Sequence, residues 1–124
     1  MVLPFVFTSC GNSIALQLKK EMQSLKEQCP LYQGDGVTIT DVNFHEGEKV
    51  LEYAISIEGV EFLDAATVDE MKKTIVGALS SDISAFEKFS VKAVLKNGYK
   101  FHYIYTDEDG NTLCEIDITK DDLP

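Results

Sequence analysis

The stretch from Tyr99 to Thr119 constrains this chain more than any other. Tyr99, Phe101, Tyr103 and Tyr105 fall on alternate positions, and beyond a turn Cys114, Ile116 and Ile118 do the same. A period of two over such a length marks a half-buried strand, because successive side chains leave a strand on opposite faces. Between the two runs, Asp107-Glu108-Asp109-Gly110 offers a glycine for a positive φ and Asp side chains that accept bonds from turn amides. Pairing Tyr105 with Thr112 sets Tyr103 against Cys114, Phe101 against Ile116 and Tyr99 against Ile118. Every large apolar side chain then shares one face, and a slip by one residue would turn the whole set to water.

The rest of the chain supplies the cover. Ile14, Leu18, Met22, Leu25 and Cys29 recur at helical spacing, with Lys19, Lys20, Gln23 and Lys26 on the other side. Asn12 or Ser13 can cap this helix, and Pro30 stops it near Cys29. Gly34-Asp35-Gly36 is a turn. After it Val37 and Ile39 alternate, then Val42 and Phe44, and the jump in phase near Thr40-Asp41 predicts a β-bulge or a solvent-facing pair at an edge. His45-Glu46-Gly47-Glu48 closes a hairpin whose return strand carries Leu51, Tyr53, Ile55 and Ile57 inward. Thr67-Val68-Asp69-Glu70 reads as a capping box ahead of a stripe of Val68, Met71, Ile75, Ala78 and Leu79. Residues 83–98 admit two readings. A hairpin turn at Asn97-Gly98 would oppose the apolar faces of the two strands it joins. A helix from about Ile83 or Ser84 to Asn97, with Gly98 as its left-handed terminus, has no such conflict and is the one predicted. The expected order is α-β-β-α-α-β-β, an α+β two-layer sandwich of antiparallel hairpins covered by helices.

A chain of 124 residues holds one such core, expected over residues 13–124. Eleven basic and 21 acidic residues give a net charge of −10, which repels phosphate backbones and argues against nucleic acid as a partner. No run approaches the ~18 apolar residues of a membrane-spanning helix.

The N-terminus speaks about location. Val2, Leu3, Phe5, Val6 and Phe7 form an apolar run closed by Thr8, Ser9 and Cys10. Phe-Thr-Ser-Cys resembles a bacterial lipobox, whose cysteine is lipidated and becomes the mature N-terminus. The resemblance implies that residues 1–9 are the remnant of an export signal, that Cys10 carries the lipid, and that residues 10–12 begin a tether. It implies an exported protein of the bacterial cell envelope, lipid-anchored to a membrane by a diacyl modification. The other reading of the same residues is an N-terminal edge strand with a buried Cys10. The tail Tyr103-x-Tyr105-x-Asp107-x-x-Gly110-x-x-Leu113-x-x-Ile116-x-Ile118-Thr119, together with Gln28-Cys29-Pro30, is similar to small, functionally uncharacterised bacterial exported proteins and lipoproteins. That family brings no catalytic residue to carry over.

Chemistry-bearing groups are sparse. Cys10, Cys29 and Cys114 lack the close pairing of structural zinc ligands, and Asp107-x-Asp109-Gly110 departs from a calcium loop in the place of its glycine and at its twelfth position, Ile118. No metal or cofactor is expected. If Cys10 is lipidated, Cys29 and Cys114 remain in an oxidising compartment where they could pair; the alternative is two buried thiols. His45 in a hairpin loop and His102 on an outward strand face read as solvated. The expected function is therefore a non-catalytic envelope lipoprotein that binds an unidentified protein or small ligand. Two alternatives stand beside it: a small thiol-dependent enzyme using Cys29 or Cys114, and an inhibitor of an envelope enzyme presenting Val60, Phe62 and Leu63 from a loop. Lys100, His102 and Ile104, on the outer face of their strand, form a further candidate interaction surface.

Overall fold

The structure, a computed structural model, describes residues 10–81 and 91–122, with side chains described for 14–78 and 91–122. Residues 1–9, expected to be the remnant of an export signal, the Cys10 side chain and most of the helix expected from residue 83 lie outside that set. The chain forms α1 (Cys10–Gln28), β1 (Leu31–Gly34), β2 (Val37–His45), β3 (Val50–Ile57), α2 (Ala65–Ser81), α3 (Val91–Lys96), β4 (Lys100–Thr106) and β5 (Thr112–Ile118), then a 3-10 turn at Lys120–Asp122. All five strands join one sheet in the order β1-β2-β3-β4-β5, packed on one face by helices. This is the α+β two-layer arrangement expected, with two additions: the short strand β1, and a parallel contact between β3 and β4 that fuses the two hairpins.

That parallel contact is in register from Val50↔Lys100 to Ser56↔Thr106. It lines the inward side chains of four strands into rows: Ile39–Ile55–Tyr105–Cys114, Val42–Tyr53–Tyr103–Ile116 and Phe44–Leu51–Phe101–Ile118. The rows stay aligned because β2 carries a bulge. Ile39 pairs with Ile55 but Asp41 pairs with Ala54, so Thr40 is the extra residue and the apolar phase resets before Val42. Lys26 fastens α1 to this bulge. Its ammonium reaches Asp41 Oδ1 at 2.9 Å, the Val42 carbonyl at 3.1 Å and Asn43 Oδ1 at 2.9 Å, which uses all three of its donors.

The helical stripe of α1 is buried as the spacing demands: Leu18 and Met22 are fully covered, and Ile14, Leu25 and Cys29 pack against the same core. The helix begins at Cys10, ahead of the cap expected at Asn12 or Ser13. From α2, Val68, Met71, Ile75 and Val76 reach the core, while Ala78 is exposed. Its cap is Asp64, not Thr67: the Asp64 carboxylate accepts the Thr67 amide at 2.7 Å. A carboxylate gains from the positive helix terminus as well as from the amide, which a hydroxyl cannot match. The described end of the third helix buries Val91, Val94 and Leu95 and closes on Gly98 at φ 92°, as predicted for a left-handed terminus.

The C-terminal hairpin keeps the expected faces and shifts its register by two residues. Phe101 pairs with Ile118, Tyr103 with Ile116 and Tyr105 with Cys114. The turn sets this: the Asp107 amide bonds the Asn111 carbonyl at 2.9 Å, and Asp107 Oδ1 accepts the amides of Asp109 and Asn111. Thr106 pairs with Thr112 across a turn of residues 107–111, and the irregularity between Thr106 and Tyr105 carries the pairing on to Cys114; the resulting two-residue shift leaves inside and outside unchanged.

Phe101 lies at the centre of the fused sheet, 2% exposed. Phe101→Ala should cost about 3–5 kcal/mol of unfolding free energy, read from urea denaturation. A loss below about 1 kcal/mol would show that the fused sheet does not depend on its aromatic row.

Candidate functional site

Helix α1 lies over β2, and α2 lies against β5. Beside α1 the inner face of the sheet holds a groove of about 340 Å³, lined by Met22 and Leu25 from the helix, Ile39 from β2, Tyr53 and Ile55 from β3, and Tyr103 from β4. That volume is at the lower end for a small-ligand site. Its floor is aromatic: Tyr53 stacks on Tyr103 with ring centres 5.3 Å apart, and Phe101 lies 6.3 Å from Tyr53. The Tyr53 hydroxyl contacts Met22 Sδ at 3.7 Å, linking floor to wall. Ser24 and Gln28 line it from α1 on the solvent side, and the half-buried Glu21, one turn before Leu25, is its one charged lining residue. Burial pushes the Tyr53 phenol up to about 12, and burial followed by the charge of Cys114 does the same for Tyr105. Tyr103 rises further for the same first cause, with Tyr53 and Tyr105 adding to it. These are uncharged aromatic surfaces, suited to apolar side chains rather than to ions.

One end of the sheet differs in character. Strands β3 and β4 finish there, so the β1–β2 turn, the 58–64 loop and the β4–β5 turn meet at that end. The Glu58 amide donates to the Gly36 carbonyl at 2.9 Å, and the Gly59 amide to Glu108 Oε1 at 3.2 Å. Phe62 in this loop is 77% exposed, while Val60 and Leu63 are partly buried. Of the three loop residues proposed as a contact surface, Phe62 alone stands fully in solvent.

The outer face of the sheet is a polar lattice. His102 is not freely solvated: its Nε2 meets Glu115 Oε1 at 2.9 Å and its Nδ1 meets Asp117 Oδ1. Lys100 approaches Asp117 at 3.7 Å, and His45 Nε2 meets Glu52 Oε1 at 3.1 Å. Lys100, His102 and Ile104 therefore do share a face, but the two polar groups are already engaged within the chain. Cross-strand pairing placed these partners, which sequence spacing alone does not reveal.

The thiols do not form a reactive centre. Cys29 Sγ contacts the Leu25 carbonyl at 3.4 Å, and burial, then the Asp41 charge, raise its pKa against a smaller opposing pull from Lys26. Burial, then Glu115, raise that of Cys114. Both are free. The bridge allowed by the sequence is not formed: Cys29 sits on the β2 side of the sheet and Cys114 on β5. Two strands at ~4.8 Å spacing intervene, well beyond the ~7 Å Cα separation that a disulfide tolerates. Among the described residues no group of three His, Cys, Asp or Glu side chains could hold a metal ion.

A family model for DUF8479, a domain of unknown function, matches residues 13–114. No curated protein matches. Three solved structures share the fold. The pilotin EpsS of the Vibrio vulnificus type 2 secretion system is 13% identical, with 92% of this chain and 94% of that one covered and a TM-score of 0.68. A Pseudomonas aeruginosa protein provisionally described as secreted is 10% identical, over 93% and 97% of the two chains, at 0.67. The pilotin AspS of the Vibrio cholerae type II secretion system is 16% identical, over 90% and 94%, at 0.56. At these identities the likeness is one of fold.

Two measurements check this chemistry. A phenol whose folded pKa is raised holds its proton longer in the folded state, so its contribution is complete below the unfolded value near ~10 and is lost as pH rises through the folded value. Tyrosinate absorbance and circular dichroism should show the core tyrosines ionising together with unfolding, between pH about 10 and about 12. Ionisation of all five tyrosines in a single step near ~10 with the fold intact would contradict their burial. Alkylation of the folded protein at neutral pH should be slower at Cys29 and Cys114 than at free cysteine. Faster labelling at either would revive the thiol enzyme.

Proposed function

We propose, for a chain that belongs to the DUF8479 family of domains of unknown function, that it is a non-catalytic interaction module of the bacterial cell envelope. It is anchored by a lipid on Cys10 and holds a segment of another envelope protein in the groove beside α1. The groove is the observation that carries the reading: an aromatic floor and an apolar wall, left open between helix and sheet. Two of the structures of like fold are pilotins of type II secretion systems, and the third is described as secreted, which supports an envelope setting.

The topology favours a particular kind of occupant. Strands β2, β3 and β4 are hydrogen-bonded on both sides, so the groove floor has no free sheet edge to offer a guest strand. A segment lying there must satisfy its own backbone, as a helix does, and present only side chains. A lipid at Cys10 would leave the groove accessible. Gln28, at one end of α1, lines the groove near Ile39 and Ile55, whereas Lys19 lies toward Phe44 and Glu46. Extended at 1.5 Å per residue, roughly 27 Å in all, the helix carries Cys10 toward the opposite end of the sheet.

The exposed Phe62 favours one second reading, a loop that inserts into the cleft of an envelope enzyme and inhibits it.

A photo-crosslinking residue at Ser24, on the groove rim, should capture one envelope protein in cells, and one at Ile104, on the outer face, should not. No adduct from Ser24, or equal adducts from both, would remove the groove reading. Capture from position 62 alone would favour the inhibitor. Metabolic labelling with a fatty-acid analogue should be lost in Cys10→Ala; equal labelling would remove the anchor.

A further inference from the structure

The groove's lining includes Ile39 and Ile55, each two residues from its strand's terminus at the end of the sheet where β3 and β4 finish, and the loops at that end have an unmixed charge. Its three loops, residues 34–36, 58–64 and 107–111, contain Asp35, Glu58, Glu61, Asp64, Asp107, Glu108 and Asp109 and no Lys, Arg or His. Elsewhere acids and cations are interspersed, and six carboxylates among the described residues have ion-pair partners: Asp41 pairs with Lys26, Glu52 with His45, Asp69 with Lys73, Glu115 with His102, Asp117 with Lys100 and His102, and Asp122 with Lys72. None of the seven has an ion-pair partner among the described residues. Three have local work: Asp64 caps α2, Asp107 closes its turn, and Glu108 accepts the Gly59 amide. The side chains of Asp35, Glu58, Glu61 and Asp109 have no partner among the described residues. Like charges gathered at one end of a molecule repel and cost the folded state stability.

From the groove and this charge together, and resting on the groove reading above, we infer that the occupant is an amphipathic protein segment bearing lysine or arginine at one end. Its apolar stripe lies on Tyr53, Tyr103 and Leu25, and its basic end lies over the 58–64 and 107–111 loops beside Phe62. The apolar floor supplies contact area without direction, since Ile39, Ile55 and Tyr103 would accept a segment running either way. The charge at one mouth supplies the direction: a basic terminus at that end is attracted, and the same segment reversed loses those contacts. The aliphatic stem of a lysine or arginine can also lie on the Phe62 ring with its charge among the carboxylates.

The test uses the full chain in detergent and fluorescence anisotropy with three labelled peptides. All share one leucine–alanine helical stripe and differ in a terminal block of lysine, glutamine or glutamate. The lysine peptide should bind about tenfold more tightly than the glutamine peptide at low salt, as expected for several exposed pairs of modest strength each. The glutamate peptide should be the weakest, and added salt should narrow the spread. Glu58→Lys with Glu61→Lys should reverse the order, and Ser24→Trp should weaken all three, with circular dichroism confirming that both variants fold. Equal affinity of the lysine and glutamate peptides overturns the inference, and so does failure of all three to bind. In either case continued capture from Ser24 in cells leaves the groove reading standing, and loss of that capture removes both. A dimer in solution that Ser24→Trp abolishes would assign the groove to a second copy and also overturn the inference.

Discussion

The fold depends on the parallel contact between β3 and β4. Each hairpin alone has an apolar face and nothing of its own to bury it against. Fusing them sets Leu51 beside Phe101 and Tyr53 beside Tyr103, and the resulting face is wide enough for α1 at one side and α2 at the other. A parallel pairing cannot be closed by a tight turn, so the chain between β3 and β4 must cross over, and its helices cover the sheet as it does so.

The same contact creates the groove. Two helices seated toward opposite sides of a five-stranded sheet leave its middle partly open at one end, while Val91, Val94 and Leu95 fill the other. The surface left beside α1 is made of residues that serve the core on one side and line the opening on the other. Tyrosine suits that double duty, because its ring packs like phenylalanine and its hydroxyl tolerates a wet rim. The distribution of charge follows a similar division. Lysines are used within the chain to tie α1 to the bulge, β4 to β5 and α2 to the C-terminal turn, and the loops at the end of β3 and β4 receive none.

Several local readings of the sequence survive contact with the structure because their causes are local. The alternation of Tyr99 to Tyr105, the phase jump at Thr40, the glycine terminus at Gly98 and the stripe of α1 are each dictated by neighbours a few residues away. Readings fail where two local options are close in energy. Thr67 and Asp64 are both competent caps, and the carboxylate wins. The turn at Asp107 could close in two registers with the same faces, and side-chain bonds to Asn111 choose between them. Strand β1 has no signature in the sequence, because four residues with Tyr32 and Gln33 both exposed carry no period.

By itself, then, the sequence determined the fold class, which face of each element is apolar, and the absence of close metal-ligand spacing, since these follow from the order of residue types along short stretches. Tertiary structure alone decided that β3 lies beside β4, that His102 sits between Glu115 and Asp117, that Cys29 and Cys114 are strands apart, and that Tyr53 and Tyr103 floor a groove near an acidic end of the sheet. Each of those facts joins residues distant in the chain, and their proximity is fixed by how the two hairpins pack rather than by anything either stretch contains.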